Sequence, residues 1–406
     1  MEERLNKKNT FLLGFGFFCI SIVWPLYNTF VPVFISKYIS SAMLIGFVMT
    51  FDNIAAITLQ PFFGALSDRT NTKRGRRMPY LMVGIPLSAM FFTLIPFEFS
   101  FVTLIAAAMG FNIMMSIYRA PTVALMPDLT PSIHRSKANG IINLMGGVGA
   151  VLALFVGPVL YDMNRIYPFT AAAVMMLIAL FILIKTIKEP EKPALDDDEH
   201  TGIVKAFFEV IKDKDKSALL LLVAIFLWFI AYQGVEALFS LYGLNYLGIG
   251  ESTSARLLSF FSLTFLLFAI PSGLIATKIG RRKTIMIGII GLLGVFMLIT
   301  FFRSITYISI LLGIGGIFWA LININSYPMV VEMTTDNKIG AYTGLYYFFS
   351  ALAAITGPPL LGFIIDYVGY GSLFIISVSF LLLAFITMMF VKKGESKKTI
   401  ISAEKL

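Results

Sequence analysis

Charged residues are scarce in this chain of 406 residues. Asp, Glu, Lys and Arg make up 14% of it, against about 25% in soluble domains, whereas apolar residues make up 58%. A folded soluble protein covers its surface largely with polar groups, and this chain has too few of them. The composition therefore indicates that much apolar surface faces lipid. It argues against a soluble enzyme and against a nucleic-acid partner.

Cysteine and histidine are also rare. Cys19 is the only cysteine, so the chain can form neither an intramolecular disulfide nor a cysteine-based metal site. His134 and His200 lie in polar segments, which argues against a histidine-based metal site. The sequence also lacks the phosphate-binding loop of ATP-driven transporters. We therefore expect no cofactor, no metal site and no enzymatic activity.

The sequence contains long apolar runs with few charged residues. A run of about 20 apolar residues is long enough to cross a bilayer as a helix. We predict an all-α integral membrane protein with twelve transmembrane helices, in two six-helix pseudo-repeats. The predicted spans are residues 11–35, 43–66, 78–97, 100–126, 138–160, 166–187, 218–247, 252–276, 284–302, 305–330, 338–365 and 370–391.

The positive charge follows the expected membrane topology. The formal net charge is +9, and with the N-terminus in the cytoplasm most of the 32 Lys and Arg residues fall in cytoplasmic segments. An excess of basic residues is typical of cytoplasmic loops. We therefore predict cytoplasmic N and C termini and a multi-pass protein of the cell (plasma) membrane. The basic residues elsewhere are Lys37, Arg119, Arg165, Arg256 and Arg303.

The two halves of the chain repeat the same landmarks. Gly64 and Gly273 close spans 2 and 8, and Pro121 and Pro328 lie near the ends of spans 4 and 10, at nearly the same offset. Parallel repeats of this kind suit a substrate site near the membrane midplane. We predict two six-helix bundles joined by a cytoplasmic linker with a short amphipathic helix, at residues 1–187, 218–406 and 188–217 respectively.

The loop after span 2 combines glycines, an acid and arginines, and the loop after span 8 repeats the pattern with Thr277 in place of the acid. The residues are Gly64, Asp68, Arg69, Gly75, Arg76 and Arg77, then Gly273, Gly280, Arg281 and Arg282. The pattern resembles the signature loop of the major facilitator superfamily. That resemblance implies a brace on the cytoplasmic side and transport by alternating access. We expect Gly64 to allow close helix packing, Asp68 to bind an arginine or a helix N-terminus, and the second brace to be weaker.

Two segments resemble one group within that superfamily more specifically. The spacing between Asp68-Arg69 and Gly75-Arg76-Arg77, and the run from Ala120-Pro121 to Asp128-Leu129, resemble the sucrose–proton and the wider glycoside–pentoside–hexuronide cation symporters. This resemblance implies sugar or glycoside uptake coupled to H⁺, with Na⁺ as the alternative ion. The chain departs from it at the ion sites, because the span-4 proton-accepting aspartate aligns with Asn112.

Ionisable groups inside the spans are the candidates for ion coupling. Asp52, Arg119 and Glu236 lie within spans 2, 4 and 7. Such groups are costly in a bilayer and by default indicate function. We predict that Asp52 carries the proton or cation that the span-4 acid carries in the sucrose symporters. The structural alternative is a permanent Asp52–Arg119 bridge that fixes two helices.

Aromatic and amide side chains of spans 1, 2, 4, 7 and 10 are the candidates for substrate binding. A sugar binds aromatic faces through its C–H surfaces and polar side chains through its hydroxyls. Single aromatic residues could instead face lipid, and Asn325–Pro328 could form a kink with local backbone hydrogen bonds. The predicted residues are Trp24, Tyr27, Asn28, Asn53, Asn112, Tyr118, Tyr232, Gln233, Trp319, Asn323 and Asn325.

The sequence thus favours a monomeric secondary transporter whose partner is a small molecule, most simply a sugar or glycoside. Two different functions also fit the sequence. The first is a lysolipid or amphiphile carrier of the same fold, which predicts little polarity at the midplane. The second is a membrane sensor that does not transport, which predicts no substrate accumulation in vesicles.

Overall fold

The computed structural model describes residues 7–130, 134–189, 207, 210, 212, 215–334 and 338–395. Within these residues all regular secondary structure is helical, and twelve helices are long and apolar enough to cross a membrane. The chain is therefore an all-α, multi-pass membrane protein, as predicted. Each span begins and ends within one helical turn of its predicted bounds. The predicted linker, residues 188–217, lies mostly outside the described residues.

Seven helices form the first six spans, because span 2 is divided at Thr50. The helix before the division is short, and the helix after it begins at Phe51. The seven are α1 (Lys7–Ser36), α2 (Ala42–Met49), α3 (Phe51–Arg69), α4 (Met78–Leu94), α5 (Phe101–Leu129), α6 (Arg135–Met163) and α7 (Tyr167–Thr186).

Six further helices form spans 7–12. A π-helical turn, Gly243–Leu247, extends the first of them. The six are α8 (Ser217–Tyr242), α9 (Glu251–Ile279), α10 (Arg281–Ile299), α11 (Ile305–Val331), α12 (Ile339–Val368) and α13 (Leu373–Met389).

The chain divides into two compact units. The first contains the described residues of 1–40, 49–197 and 251–256, and the second contains those of 41–48, 198–250 and 257–406. Each unit is thus built mainly from one of the two predicted bundles. Helix α2 packs within the second unit, however, and the first turns of α9 pack within the first.

Helix α2 packs closely on α12 in the second unit because both helices have glycine at the contact. A Cβ atom on Gly46 would lie 2.5 Å from the carbonyl oxygen of Pro358. A Cβ atom on Gly362 would collide with the carbonyl oxygen of Ala42. Small residues of this kind let helix backbones approach in a membrane.

The carboxylate of Asp366 caps the first turn of α2. It accepts hydrogen bonds from the hydroxyl of Ser41 at 2.6 Å and from the backbone N–H groups of Ala42 at 2.6 Å and Met43 at 3.2 Å. The first N–H groups of a helix have no partner within the helix, and an acid there is also favoured by the helix dipole. Asp366 therefore fixes the start of α2.

The first unit has a comparable contact between α6 and the first turns of α9. The hydroxyl of Ser252 donates to the carbonyl of Pro158 at 3.2 Å, and Arg256 forms an ion pair with Asp162. Both side chains of that pair are 51% exposed. An exposed ion pair contributes little stability, so this contact is the weaker of the two.

Candidate functional site

Arg77 organises the loop after span 2. Its side chain is 3% exposed, and its guanidinium donates to the Asp68 carboxylate, to the Ser67 hydroxyl and, at 3.2 Å, to the carbonyl oxygen of Gly64. Arg76 contributes a longer contact to Asp68, at 3.9 Å. Asp68 thus binds an arginine, one of the two partners expected for it.

A second carboxylate, Asp128 at the end of α5, binds both arginines. Nε of Arg77 lies 3.0 Å from one of its oxygens, and the guanidinium of Arg76 lies 2.6 Å from the other. Asp128 is buried, so this ion pair is shielded from solvent. Charge-assisted bonds of this kind join α5 to the span 2–3 loop. In the sequence Asp128 stands only within a family pattern, and its role as a partner of the arginines was not predicted.

Glu189, which follows α7, caps the start of α4. Its carboxylate accepts hydrogen bonds from the backbone N–H groups of Arg76 at 2.8 Å, Arg77 at 2.9 Å and Met78 at 2.6 Å. Gly75 precedes them with a φ of 100°, in the left-handed region that favours glycine. A Cβ atom there would lie 2.5 Å from Cδ of Glu189, so the cap requires glycine for space as well.

The loop after span 8 has a related cap in the second unit. Glu395, which follows α13, accepts from the backbone N–H groups of Arg281 at 2.7 Å and Arg282 at 3.0 Å. Gly280 has a φ of 93°. Arg281 also forms an ion pair with Glu332 at 3.0 Å. In the sequence, the feature that marks both caps is an acidic residue shortly after span 6 and another shortly after span 12.

Thr277 makes the second loop different from the first. Its hydroxyl donates to the carbonyl of Leu274 in its own helix, at 2.7 Å. The guanidinium of Arg282 instead donates to the carbonyl oxygen of Met389, at 2.8 Å. The arginine that corresponds to Arg77 therefore binds a helix C-terminus instead of a carboxylate, and the weaker strength of the second brace stays a prediction.

The glycines at the ends of spans 2 and 8 have space around them. A Cβ atom on Gly64 would meet Ala120 at 3.7 Å, which is an ordinary van der Waals distance. A Cβ atom on Gly273 would meet no atom within 4 Å among the described neighbours. The space at Gly64 admits a methyl group, and close helix packing there stays a prediction.

Tyr27 and Asn112 meet in the interior of the first unit. The amide of Asn112 donates to the hydroxyl of Tyr27 at 3.0 Å, and the Tyr27 ring stacks on Phe111 with centroids 5.4 Å apart. Oδ1 of Asn112 is buried and has no hydrogen-bond partner in the described part of the chain. A buried amide oxygen without a donor is costly, so this position is one where a hydroxyl or N–H donor would be favoured.

Asp52 and Arg119 belong to the same interior cluster. Asp52 lies within electrostatic range of Arg119 and Tyr27. The Arg119 guanidinium lies over the ring of Trp24, 5.9 Å from its centroid. Asp52 also accepts from the backbone and side-chain amides of Asn53, both at 2.7 Å. The structure thus brings together six residues predicted separately from spans 1, 2 and 4, which are Trp24, Tyr27, Asp52, Asn53, Asn112 and Arg119.

The second unit contains a cluster with one acid and several aromatic rings. Tyr232 is hydrogen-bonded to Glu236, one turn further along α8. Its ring stacks on that of Trp319, with centroids 4.1 Å apart and planes 7° apart. Phe229 packs edge-on against the Trp319 ring, at 5.5 Å. The structure thus brings Tyr232, Glu236 and Trp319 together.

The remaining predicted side chains divide by burial. Asn325 donates to Ser272 and to the Leu321 carbonyl, both at 2.9 Å, and the Tyr118 hydroxyl donates to the carbonyl of Cys19 at 3.5 Å. Both side chains are buried and bonded to the protein, so their contact with a substrate stays a prediction. The half-buried ones are Asn28, Gln233 and Asn323.

The family model of the Major Facilitator Superfamily matches residues 13–258 and 244–405, which together span nearly the whole chain. The chain belongs to the major facilitator superfamily. As a member of this superfamily it is a membrane transporter. The resemblance seen in the sequence is thereby confirmed at the level of the superfamily, though not at the level of the sugar-symporter branch.

The proteins that this chain resembles have names that imply different substrates. The class H tetracycline resistance protein of Pasteurella multocida is 25% identical over 399 residues, covering 94% of this chain and 95% of that protein. The general alpha-glucoside permease of Schizosaccharomyces pombe is 28% identical over 151 residues, which cover 33% of this chain and 27% of the permease. The crystal structure of the nucleoside transporter NupG aligns with a TM-score of 0.77 at 14% identity, covering 95% of this chain and all of that one.

Proposed function

We propose that this superfamily transporter is a cation-coupled symporter of a sugar or glycoside in the plasma membrane, acting as a monomer by alternating access. H⁺ is the proposed coupling ion, with Na⁺ as the alternative. The observation that carries the proposal is the cluster in the first unit, where Arg119 lies over the ring of Trp24, Trp24 packs edge-on against Tyr27, and Tyr27 accepts a hydrogen bond from Asn112. Asp52 lies within electrostatic range of this cluster.

Asp52 has the properties of a coupling group. An ionised carboxylate in a membrane interior is stabilised by a nearby guanidinium and destabilised when that guanidinium moves away. Asp52 lies in the first turn of α3, directly after the division of span 2. A change in the position of α3 relative to α5 would therefore change the proton affinity of Asp52, which is what coupling requires.

The sugar assignment is supported by the kinds of side chain around these charges. Trp24 and Tyr27 offer aromatic rings, and Asn112 has a buried amide oxygen that lacks a donor among the described residues. Rings and amides together suit the C–H faces and hydroxyl groups of a neutral sugar. The partial similarity to an alpha-glucoside permease points to the same class of substrate.

The test is transport by the Asp52→Asn variant in proteoliposomes. We expect the variant to lose accumulation of substrate driven by a pH gradient and to retain exchange of labelled for unlabelled substrate, because exchange needs no net proton movement. The matched control is Asp162→Asn, which removes an exposed acid from α6 and is expected to transport normally. Unchanged proton-driven accumulation by Asp52→Asn would exclude Asp52 from coupling and favour the permanent bridge.

A second candidate is the export of a drug-like polycyclic compound. The observation in its favour is the end-to-end similarity to a tetracycline resistance protein. The two candidates differ in the direction of transport, since export in exchange for H⁺ would lower the accumulation of tetracycline in cells that express the protein.

The same proteoliposomes test the two alternatives that the sequence leaves open. A lysolipid carrier would move labelled lysolipid and no sugar, and a sensor would move neither.

A further inference from the structure

An apolar pocket opens on the first unit between α1, α6 and α7. Its volume is about 150 Å³, and every residue that lines it is apolar. A dry cavity of about this volume can hold a benzene-sized molecule. The residues used in the argument below are Leu26, Val156, Leu160, Pro168, Ala171 and Met175.

The pocket is bordered by exposed apolar side chains of α6 and α7. Val156 lines it and is 44% exposed, and the neighbouring Val159 and Val174 are also exposed. In a chain that spans a membrane, such apolar side chains contact the acyl chains of the bilayer. An empty pocket would leave its lining without packing partners, so lipid is favoured to enter it.

The loop at the end of the pocket carries an exposed arginine, and the acid that precedes it on α6, Asp162, is paired with Arg256. Leu160 and Pro168 form the end of the pocket nearest the α6–α7 loop, which contains Arg165. Arg165 and Lys37 both bind the single carboxylate of Glu98, at 3.0 Å and 2.9 Å, and each side chain is 44% exposed. Two cations share one anion, so this exposed cluster can bind a further negative charge, such as a lipid phosphate.

We propose that this pocket is a phospholipid site, in which one acyl chain of a bilayer lipid lies between α6 and α7 and its phosphate binds at Arg165. A volume of about 150 Å³ suits part of a single hydrocarbon chain, and Arg165 lies in the loop between two of the helices that line the pocket, where the headgroup of the same molecule would lie. The lipid is a ligand of the first unit alone, so this inference does not depend on the identity of the transported substrate.

Native mass spectrometry of the full-length protein, taken from nanodiscs of equal phosphatidylglycerol and phosphatidylcholine, tests the proposal. We expect the wild-type protein to retain one phosphatidylglycerol. Ala171→Phe and Val156→Phe fill the pocket from two different helices, and each is expected to lower the retained fraction about tenfold. The control, Val174→Phe, adds the same ring to an exposed position of α7 outside the pocket and should retain the lipid.

The variant Arg165→Gln tests the headgroup contact separately from the acyl-chain contact. We expect it to remove the preference for phosphatidylglycerol over phosphatidylcholine while Lys37 and Glu98 stay paired. Equal retention in wild type and both filling variants, or equal loss in Val174→Phe, would overturn the site. An unchanged lipid preference in Arg165→Gln would overturn the phosphate contact, and a wild-type protein that retains no lipid would overturn the whole proposal.

Discussion

Gly75 shows how a single residue supports the brace of the span 2–3 loop. Its left-handed backbone turns the chain so that three successive N–H groups point at Glu189, and its lack of a side chain leaves room for that carboxylate. Arg77 then reaches both Asp68 and Asp128 from the start of α4. The conformation of one glycine therefore positions the charges of the whole brace.

Gly75→Ala should therefore lower the stability of the protein. A left-handed backbone costs an L-residue roughly 1–2 kcal/mol, and the added methyl group also displaces Glu189. The measurement is the thermal unfolding midpoint in detergent. Gly64→Ala is the matched control from the same motif, and we expect it to be tolerated because its methyl group would be 3.7 Å from Ala120. Similar losses in both variants would refute this account of Gly75.

Residues of the brace differ in how well sequence predicts them. Gly75, Arg76 and Arg77 form a local pattern with a recognisable spacing, so they could be predicted. Glu189 and Asp128 are distant in sequence from the arginines they bind, and each lies among ordinary polar residues at a helix end. The position of Glu189 directly after span 6 marks it as a candidate cap, but which groups it and Asp128 bind depends on how the helices pack, and a single sequence has no local signal for that pairing.

Helix α2 is the clearest example at the scale of an element. It packs through Gly46 on Gly362 and its neighbours in α12, and its first turn is capped by Asp366. The predicted span 2 runs through this region without a break, because hydropathy stays high on both sides of Thr50. Length and apolar character predict where a helix crosses the membrane. Hydropathy carries no information about which helices pack against it.

Asp366→Ala tests the cap of α2. Loss of a helix cap costs about 0.5–2 kcal/mol, and here the carboxylate has three donors. We expect a lower unfolding midpoint, measured by heating in detergent. Asp162→Ala serves as the control, because its ion pair with Arg256 is exposed and contributes about 0–1 kcal/mol. A larger effect of Asp162→Ala than of Asp366→Ala would contradict this ranking.

At the scale of the whole molecule, each compact unit contains one cluster of ionisable and aromatic side chains. The first contains Asp52 and Arg119 with Trp24, and the second contains Glu236 with Tyr232 and Trp319. The fold that holds them was predicted correctly because the apolar runs and the repeated loops are strong, local signals. The substrate was not determined in this way, because members of the superfamily share these signals while their substrates differ.

The central claim is cation-coupled sugar transport, and uptake by purified protein in proteoliposomes tests it most directly. A panel of labelled neutral sugars and glycosides is offered while the pH gradient and the sodium gradient are varied separately. The account predicts that at least one sugar accumulates above its external concentration when protons flow inward, and that Asp52→Asn abolishes this accumulation. Failure of every sugar to accumulate under either gradient would contradict the account.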